Sequence, residues 1–200
     1  MRQFLICFSV MLFCAGDPFW TSLHAQGEFQ KGRLLVAKPD MSDPRFTETV
    51  IYICRHDFSG AFGLVLNRPA GKIKLSKLME SMGENSVGIK GDVQIRLGGP
   101  VDMELGFLMY TEIFEKDEPI CNSHGVAVTS NEKVVKSLGT AVGPKKSILF
   151  FGYTGWGPGQ LESELARKDW FTMSADRSIL FDTNLKGLWK RAQNKQGVDL

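Results

Sequence analysis

Histidine is scarce in this chain, with three among 200 residues. Because histidine is the most frequent general acid or base in enzymes, few side chains could fill that role. A strong excess of either charge is also absent, since 24 Lys and Arg face 22 Asp and Glu and leave a net charge of +2. The composition therefore gives no electrostatic reason to expect binding to nucleic acid or to an anionic membrane.

The chain has no apolar run of the roughly 20 residues that span a bilayer. It has a shorter apolar segment at residues 4–15, preceded by Arg2 and followed by a polar stretch that ends at Ala25. This layout is typical of a secretory signal peptide. We expect residues 1–25 to be cleaved, with no stable membrane span afterwards, and residues 26–200 to form one domain. The predicted location is periplasmic or secreted; a cytoplasmic location is the alternative if the start is misassigned.

Only two cysteines, Cys54 and Cys121, would remain after cleavage. Each is followed by a histidine, His56 or His124, but the order and spacing differ from those of common structural zinc sites. We therefore expect no metal and no cofactor. The favoured interpretation is a core thiol at Cys54 and a loop residue at Cys121. A disulfide between them is the alternative, since exported proteins fold in an oxidising compartment.

Short β-type runs outnumber amphipathic helical stripes along the chain. The predicted strands cover residues 33–37, 49–54, 61–67, 93–97, 105–110, 126–128 and 148–153, with residues 170–173 and 179–181 as further candidates. Helical stripes are predicted after residue 74, after a capping box that starts at Thr129, and before Gly197. Several links between strands are too short for a parallel crossover. The pattern predicts a single α+β domain with a mainly antiparallel or mixed sheet.

The most site-like stretch is the strand at residues 148–153 and the glycine-rich turn after it, which contains Trp156. We expect a helix with Gly157 as its cap and Pro158 in its first position. The amide of Gln160 could then reach back to the cap N–H. A strand that leads through glycines into a helix can bind an anion, but this one lacks the lysine of a P-loop and the serine of a nucleophile elbow. A tight structural turn is the favoured interpretation.

The ordered set of motifs resembles the YqgE/AlgH family, also called UPF0301. The matching segments are GRLLVA (32–37), DPRF (43–46), ICRH (53–56), GAFGLVLNRP (60–69), GGPV (98–101), GYTGWGPGQLE (152–162) and ILFD (179–182). The resemblance implies an α+β domain whose curved sheet folds into a pseudo-barrel with flanking helices. Members are often labelled transcriptional regulators, but no established reaction or cofactor comes with the family. The export signal departs from the usual cytoplasmic member and argues against direct DNA binding.

The glycine-rich corners are predicted to meet and to form a ligand site. The candidate ligand-binding residues are Asn67, Arg68, Gly98, Gly99, Trp156, Gln160, Glu162 and His56. Arg68 could bind a carboxylate or phosphate through its planar guanidinium, or pair with Glu162 or another acid. Trp156 is either an exposed anchor for a ligand or partner, or a half-buried packing residue.

The predicted function is a binding or regulatory module for an unknown small anionic ligand or a protein partner. No catalytic residue is assigned, because no motif identifies a nucleophile. Two alternatives remain open. One is a transcription-associated regulator that binds nucleic acid, and the other is a small hydrolase that uses His56 and Asp182.

Overall fold

A computed structural model of the protein describes residues 29–111 and 117–195. The predicted signal peptide at residues 1–25 lies outside these residues. The strands are β1 (Arg33–Ala37), β2 (Val50–Asp57), β3 (Gly60–Val65), β4 (Pro69–Lys74), β5 (Asp92–Leu97), β6 (Val101–Thr111), β7 (Cys121–Ser123), β8 (Val126–Thr129), β9 (Ser147–Trp156) and β10 (Trp170–Ser174). The helices are α1 (Leu75–Ser81), α2 (Glu132–Lys136), α3 (Gln160–Ala166), α4 (Arg177–Leu180) and α5 (Leu188–Lys195), and Pro44–Phe46 forms a 3-10 turn.

One curved sheet organises the domain. Its main path runs β10-β1-β2-β3-β9-β6-β8-β7, and the β4–β5 ribbon joins it through β5. The β5–β9 pair is parallel, and the other pairs between described strands are antiparallel. This confirms the α+β class and the mainly antiparallel, curved sheet. None of the helices in the described residues has the length and apolar character needed to cross a membrane.

A disulfide joins Cys54 in β2 to Cys121 in β7. The favoured interpretation of two free cysteines is therefore wrong, and Cys121 lies in a strand where a loop was expected. β7 ends the main path of the sheet, whereas β2 lies near its other end. The bond consequently shows that the sheet curls until its two ends approach each other. It closes a separation of 67 residues, and a loop of that length stabilises a folded chain by about 4 kcal/mol.

The core has three parts, each formed where a helix layer covers the sheet. The largest part holds side chains of β1, β2, β3, β8 and β9 under α4 and α5. A second lies beneath α1 and α2. The third packs Leu161 of α3 and Trp170 of β10 against Leu35 and Ile51 of the β1–β2 pair. This third part supports the region where the predicted site residues lie.

Three local predictions differ from the structure. Residues 68–71 were expected only to stop the third strand, and no strand was predicted there, yet Pro69 begins β4, a strand that is almost wholly exposed and so carries no alternating apolar pattern; a proline is tolerated at such a position. Residues 179–181 were a candidate strand, but Asp176 caps the helix α4 there by accepting a hydrogen bond from the N–H of Ile179 at 3.0 Å. The cap of α2 is Asn131, two residues after the predicted one at Thr129.

Candidate functional site

Of the glycine-rich corners predicted to meet, the one at Gly98 and Gly99 packs closely against Gly152 and Tyr153 of β9. A Cβ on Gly98 would lie 2.2 Å from the carbonyl oxygen of Gly152, and a Cβ on Gly99 would lie 2.2 Å from that of Tyr153. Side chains at these positions would push the two backbones apart. The contact also carries hydrogen bonds, because the N–H of Gly98 donates to Phe151 O at 2.8 Å and its carbonyl accepts from Val65 at 2.8 Å. Gly98 and Gly99 therefore act first as close-packing residues.

Asn67 holds the backbone just before Arg68 against the segment that leads into β2. Its Oδ1 accepts from the N–H of Val50 at 3.0 Å, and its Nδ2 donates to Glu48 O at 2.8 Å. Both hydrogen bonds are made to the segment that leads into β2. The amide is thus engaged in holding the end of β3 to the start of β2, and this orients Arg68.

Arg68 is half-buried, and its charge has no acidic partner within the described residues. Its Nη2 donates to Arg45 O at 2.7 Å and to Thr49 Oγ1 at 3.0 Å. The pairing of Arg68 with Glu162 that the sequence suggested does not occur, because Glu162 contacts His56. A guanidinium has five N–H donors, so the two bonds at Nη2 leave Nε and Nη1 of Arg68 available for a ligand.

Arg68 borders a cavity of about 250 Å³, which we call the arginine cavity. Its other lining residues are Arg45, Phe46, Val65, Leu97, Gly99, Pro100 and Met103. Leu97 and Met103 on its wall are 37% and 54% exposed. The cavity therefore combines an apolar wall with one guanidinium that no acid neutralises.

A second cavity of about 300 Å³ lies beside the first and shares Arg45, Phe46 and Pro100 with it. We call it the indole cavity, because Trp156 and Trp170 line it together with Gln160 and Glu164. Both indoles are buried, at 6% and 4% exposure. Trp156 is thus a packing residue of the cavity wall, and the exposed-anchor interpretation of Trp156 is wrong.

Glu164 is the centre of the hydrogen bonding in the indole cavity. Its Oε2 accepts from Trp156 Nε1 at 2.9 Å and from Trp170 Nε1 at 2.8 Å, and its Oε1 accepts from Gln160 Nε2 at 3.1 Å. Gln160 in turn accepts from the N–H of Gly157 at 3.1 Å, the reach-back predicted from the sequence. The helix itself begins later than expected, at Gln160, with Gly159 as its cap at a φ of 72°.

The remaining charges of the two cavities are paired with each other. Arg45 holds both carboxylate oxygens of Asp43, at 2.7 to 3.1 Å, and these hydrogen bonds lower the pKa of Asp43 below its ordinary value. Arg167 binds Asp169 at 2.8 Å. Among the charged lining residues, only Arg68 in the arginine cavity and Glu164 in the indole cavity lack a partner of opposite charge in the described part of the chain.

His56 and Glu162 form a separate pair that lines neither cavity. The ring of His56 is buried; its Nδ1 accepts from the N–H of Gln30 at 3.0 Å, and its Nε2 lies 3.1 Å from Glu162 Oε1. Since Nδ1 is the acceptor, Nε2 carries the hydrogen and donates it to the carboxylate. Both ring nitrogens of His56 therefore form hydrogen bonds within the domain.

The hydrolase alternative required His56 and Asp182 to act together, and the structure does not bring them together. Asp182 binds Arg191 at 2.7 Å and accepts from the N–H of Asn184 at 2.8 Å. Cys54 and Cys121 are bonded to each other, so neither thiol is available as a ligand. In the two described stretches, no group of three or more His, Cys, Asp or Glu side chains is placed to hold a metal ion.

Sequence reasoning missed Arg45, Phe46, Glu164 and Trp170. One signal was present, since Gln160 and Glu164 are four residues apart and hence share a face of α3. The role of Trp170 had no such signal, although its indole donates to Glu164 only six residues before it in the chain. Of the predicted site residues, Arg68 and Gly99 line the arginine cavity, and Trp156 and Gln160 line the indole cavity.

Comparison with known proteins gives a consistent result. A family model described as AlgH-like matches residues 34–200. A UPF0301 protein of Caulobacter vibrioides is 40% identical over 179 residues, which cover 86% of this chain and 89% of that protein. A UPF0301 protein of Jannaschia sp. is 38% identical over 170 residues, which cover 84% of this chain and 88% of its own length.

Two solved structures resemble the fold. The solution structure of the AlgH protein from Pseudomonas aeruginosa matches with a TM-score of 0.70 at 31% identity, over 87% of this chain and 91% of that one. A crystal structure of a protein from Corynebacterium diphtheriae matches with a TM-score of 0.64 over 84% and 87% of the two chains. At 20% identity, the second match bears on the fold alone.

Proposed function

Because the chain belongs to the AlgH-like (UPF0301) family, for which the matched relatives' names specify no reaction, we propose from its own geometry that it is a binding module for a small amphipathic anion. The ligand class is a molecule with a carboxylate or phosphate group and a short apolar body. The arginine cavity holds it, with the anionic group at Arg68.

One observation carries this proposal: Arg68 is a half-buried cation beside an apolar cavity, and no acid in the described residues neutralises it. Folding such a charge without a counter-ion costs free energy, and an anionic ligand would offset that cost. The two hydrogen bonds from Nη2 fix the plane of the guanidinium. A carboxylate or phosphate can then bind through two N–H groups at once.

The apolar wall gives the second half of the specificity. Leu97 and Met103 are exposed in the described structure, so a ligand with an alkyl or aromatic body would bury them. Burial of apolar surface contributes about 25 cal/mol per Å². An anion without such a body, such as acetate, should therefore bind more weakly than octanoate.

Octanoate is a suitable probe for this proposal. We expect saturable shifts of the Met103 methyl resonance in an NMR titration, with an affinity that falls at least about tenfold in Arg68→Met. Methionine keeps much of the arginine's apolar stem, so the cavity wall is retained. Arg55→Met is the matched control, because Arg55 is an exposed arginine on β2 that faces Asp57 at 3.8 Å. Equal binding by wild type and Arg68→Met would refute the proposal.

The proposal places this module outside the cytoplasm, after removal of residues 1–25. The Cys54–Cys121 disulfide supports this placement, because such bonds persist in oxidising compartments. Fractionation of cells that express the full chain tests it. A processed protein in the periplasm or medium is expected, and an unprocessed, reduced protein in the cytoplasm would contradict it.

A further inference from the structure

We infer that the indole cavity is a separate binding site for a positively charged N–H donor, a guanidinium or a primary ammonium group, which docks on Oε1 of Glu164. This goes beyond the anion site at Arg68 and does not depend on it. The inference rests on the charge balance of the cavity, the unused acceptor capacity of Glu164 and the rigidity of its carboxylate.

The charge balance comes first. Five charged side chains line the indole cavity, and four of them form the pairs Asp43–Arg45 and Arg167–Asp169. Glu164 is the fifth, and its partners in the described chain are neutral indole and amide groups. The cavity therefore carries one negative charge without a counter-ion, and a cation is the complementary ligand.

The acceptor capacity of Glu164 locates the docking point. An ionised carboxylate offers about two acceptor positions on each oxygen. On Oε2 both positions are used, by the indole N–H groups of Trp156 and Trp170, whereas Oε1 accepts only from Gln160. One position thus remains, on the oxygen next to the exposed residue Gln160, where a ligand can approach from solvent.

Rigidity and shelter distinguish this carboxylate from an ordinary surface acid. Two buried indoles and an i, i+4 amide hold it from three sides, so it loses little conformational freedom when a ligand binds. Because the aromatic rings exclude water from one side, an ion pair formed there is screened less than one on an open surface. A neutral N–H donor forms no ion pair with Glu164 and so does not benefit from the weak screening. A cation without N–H groups cannot donate to the free acceptor position on Oε1.

Ethylguanidinium is the probe, and the indole N–H resonances are the readout. We expect saturable shifts of the Trp156 and Trp170 indole signals, which report on the two bonds to Glu164. The Trp189 indole serves as an internal control, because it donates to Ala37 O at 2.7 Å elsewhere in the fold. Ethylurea, a neutral molecule of similar shape, and tetramethylammonium, a cation without N–H donors, should each bind at least about tenfold more weakly. Equal shifts with either molecule, or equal shifts at Trp189, would overturn the inference.

Two variants make the test specific to Glu164. Glu164→Gln keeps the size and removes the charge, and should weaken ethylguanidinium binding at least about tenfold. Glu132→Gln is the matched control for net charge, since Glu132 is an exposed acid whose partner is Lys136. If Glu164→Gln does not fold, Gln160→Ala decides: it frees a second position on Oε1 while the two indole N–H groups still hold Oε2, so ethylguanidinium should bind as well or better. A loss of binding in Gln160→Ala, or retention in a folded Glu164→Gln, contradicts the inference.

Discussion

The arginine cavity and the indole cavity share a wall at Arg45, Phe46 and Pro100, and within residues 29–111 and 117–195 each holds one charge without a counter-ion. The two charges are built in differently. Arg68 is held by a single nitrogen, on a carbonyl and a hydroxyl, whereas Glu164 is the common acceptor of two buried indoles. Arg68 is therefore largely available to a ligand, while Glu164 also ties α3 to the ends of β9 and β10.

This difference teaches which residue the fold itself needs. Loss of Arg68 leaves the carbonyl of the exposed residue Arg45 to water, while the buried hydroxyl of Thr49 still donates to Thr47 O at 3.2 Å. Loss of Glu164 leaves two donors inside the protein without an acceptor. An unpaired buried donor costs about 1–3 kcal/mol. Truncation of the two charged residues should therefore have different effects. Loss of Arg68 should weaken ligand binding with little effect on stability, whereas loss of Glu164 should weaken binding and lower stability.

The largest expected effect comes from Glu164→Ala. Because both indole N–H groups lose their acceptor, we expect the free energy of unfolding to fall by about 3 kcal/mol. Arg68→Ala should lower it by less than about 1 kcal/mol. Urea denaturation of the two variants beside wild type measures both values. Equal losses for the two variants would remove the distinction between the cavities.

Tyr52, which lines neither cavity, gives a second prediction about stability. The hydroxyl of Tyr52 is buried in the core with no hydrogen-bond partner in the described chain, and burial raises the pKa of Tyr52 from 10.0 to about 12. Below pH 10 the phenol is neutral in both states, but between pH 10 and 12 it ionises in the unfolded chain first. Stability should therefore fall by about 2–3 kcal/mol over that interval relative to Tyr52→Phe.

The comparison of the two proteins isolates Tyr52 from other groups that titrate in the same range. Burial lowers the pKa of Arg96 to about 10, which has the opposite effect on stability, but Arg96 is present in both proteins and cancels. Urea titrations at several alkaline pH values provide the measurement. Parallel pH dependence of wild type and Tyr52→Phe would show that the phenol is not sheltered in this way.

The apolar wall of the arginine cavity predicts a smaller effect. Met103→Ala removes apolar surface that is 54% exposed without a ligand, and we expect octanoate affinity to drop by about threefold. Acetate, which cannot reach across the cavity, should bind the variant and wild type equally. A calorimetric titration with both acids tests this. An equal loss for acetate and octanoate would mean that the wall contributes nothing specific.

The smallest expected effect concerns the shared wall. Asp43→Asn keeps the N-cap of the 3-10 turn, since its Oδ1 can still accept from the N–H of Arg45. It removes the negative charge that pairs with the guanidinium of Arg45. The arginine cavity then has two unneutralised cations, and octanoate should bind about two to three times more tightly. Binding of ethylguanidinium in the neighbouring cavity should weaken. Affinities that move in the same direction for both probes would contradict the assigned charge balance.

The sequence predicted much of the fold and part of the site. Family motifs identified the curved α+β domain, and the tight turn predicted at Gly98 and Gly99 lies where the structure leaves no room for a Cβ. The reach of Gln160 to Gly157 was also predictable, because it depends only on spacing along the chain. These features are local, or they were carried by motifs.

Several features that were not predicted depend on contacts between distant parts of the chain. The partner of Glu162 is His56, at a separation of 106 residues, and nothing in the local sequence favours it over Arg68. The disulfide forms because the sheet curls far enough to bring Cys54 beside Cys121. The predicted site residues Arg68 and Gln160 line two different cavities, which share Arg45 and Phe46 of the 3-10 turn as lining residues.

The most direct test of the account is a crossed titration of Arg68→Met and Glu164→Gln with octanoate and ethylguanidinium. We expect Arg68→Met to lose octanoate binding at least about tenfold and to keep ethylguanidinium binding, and Glu164→Gln to show the reverse. If each variant lost both probes equally, or neither probe bound the wild type, the account of two oppositely charged cavities would be contradicted.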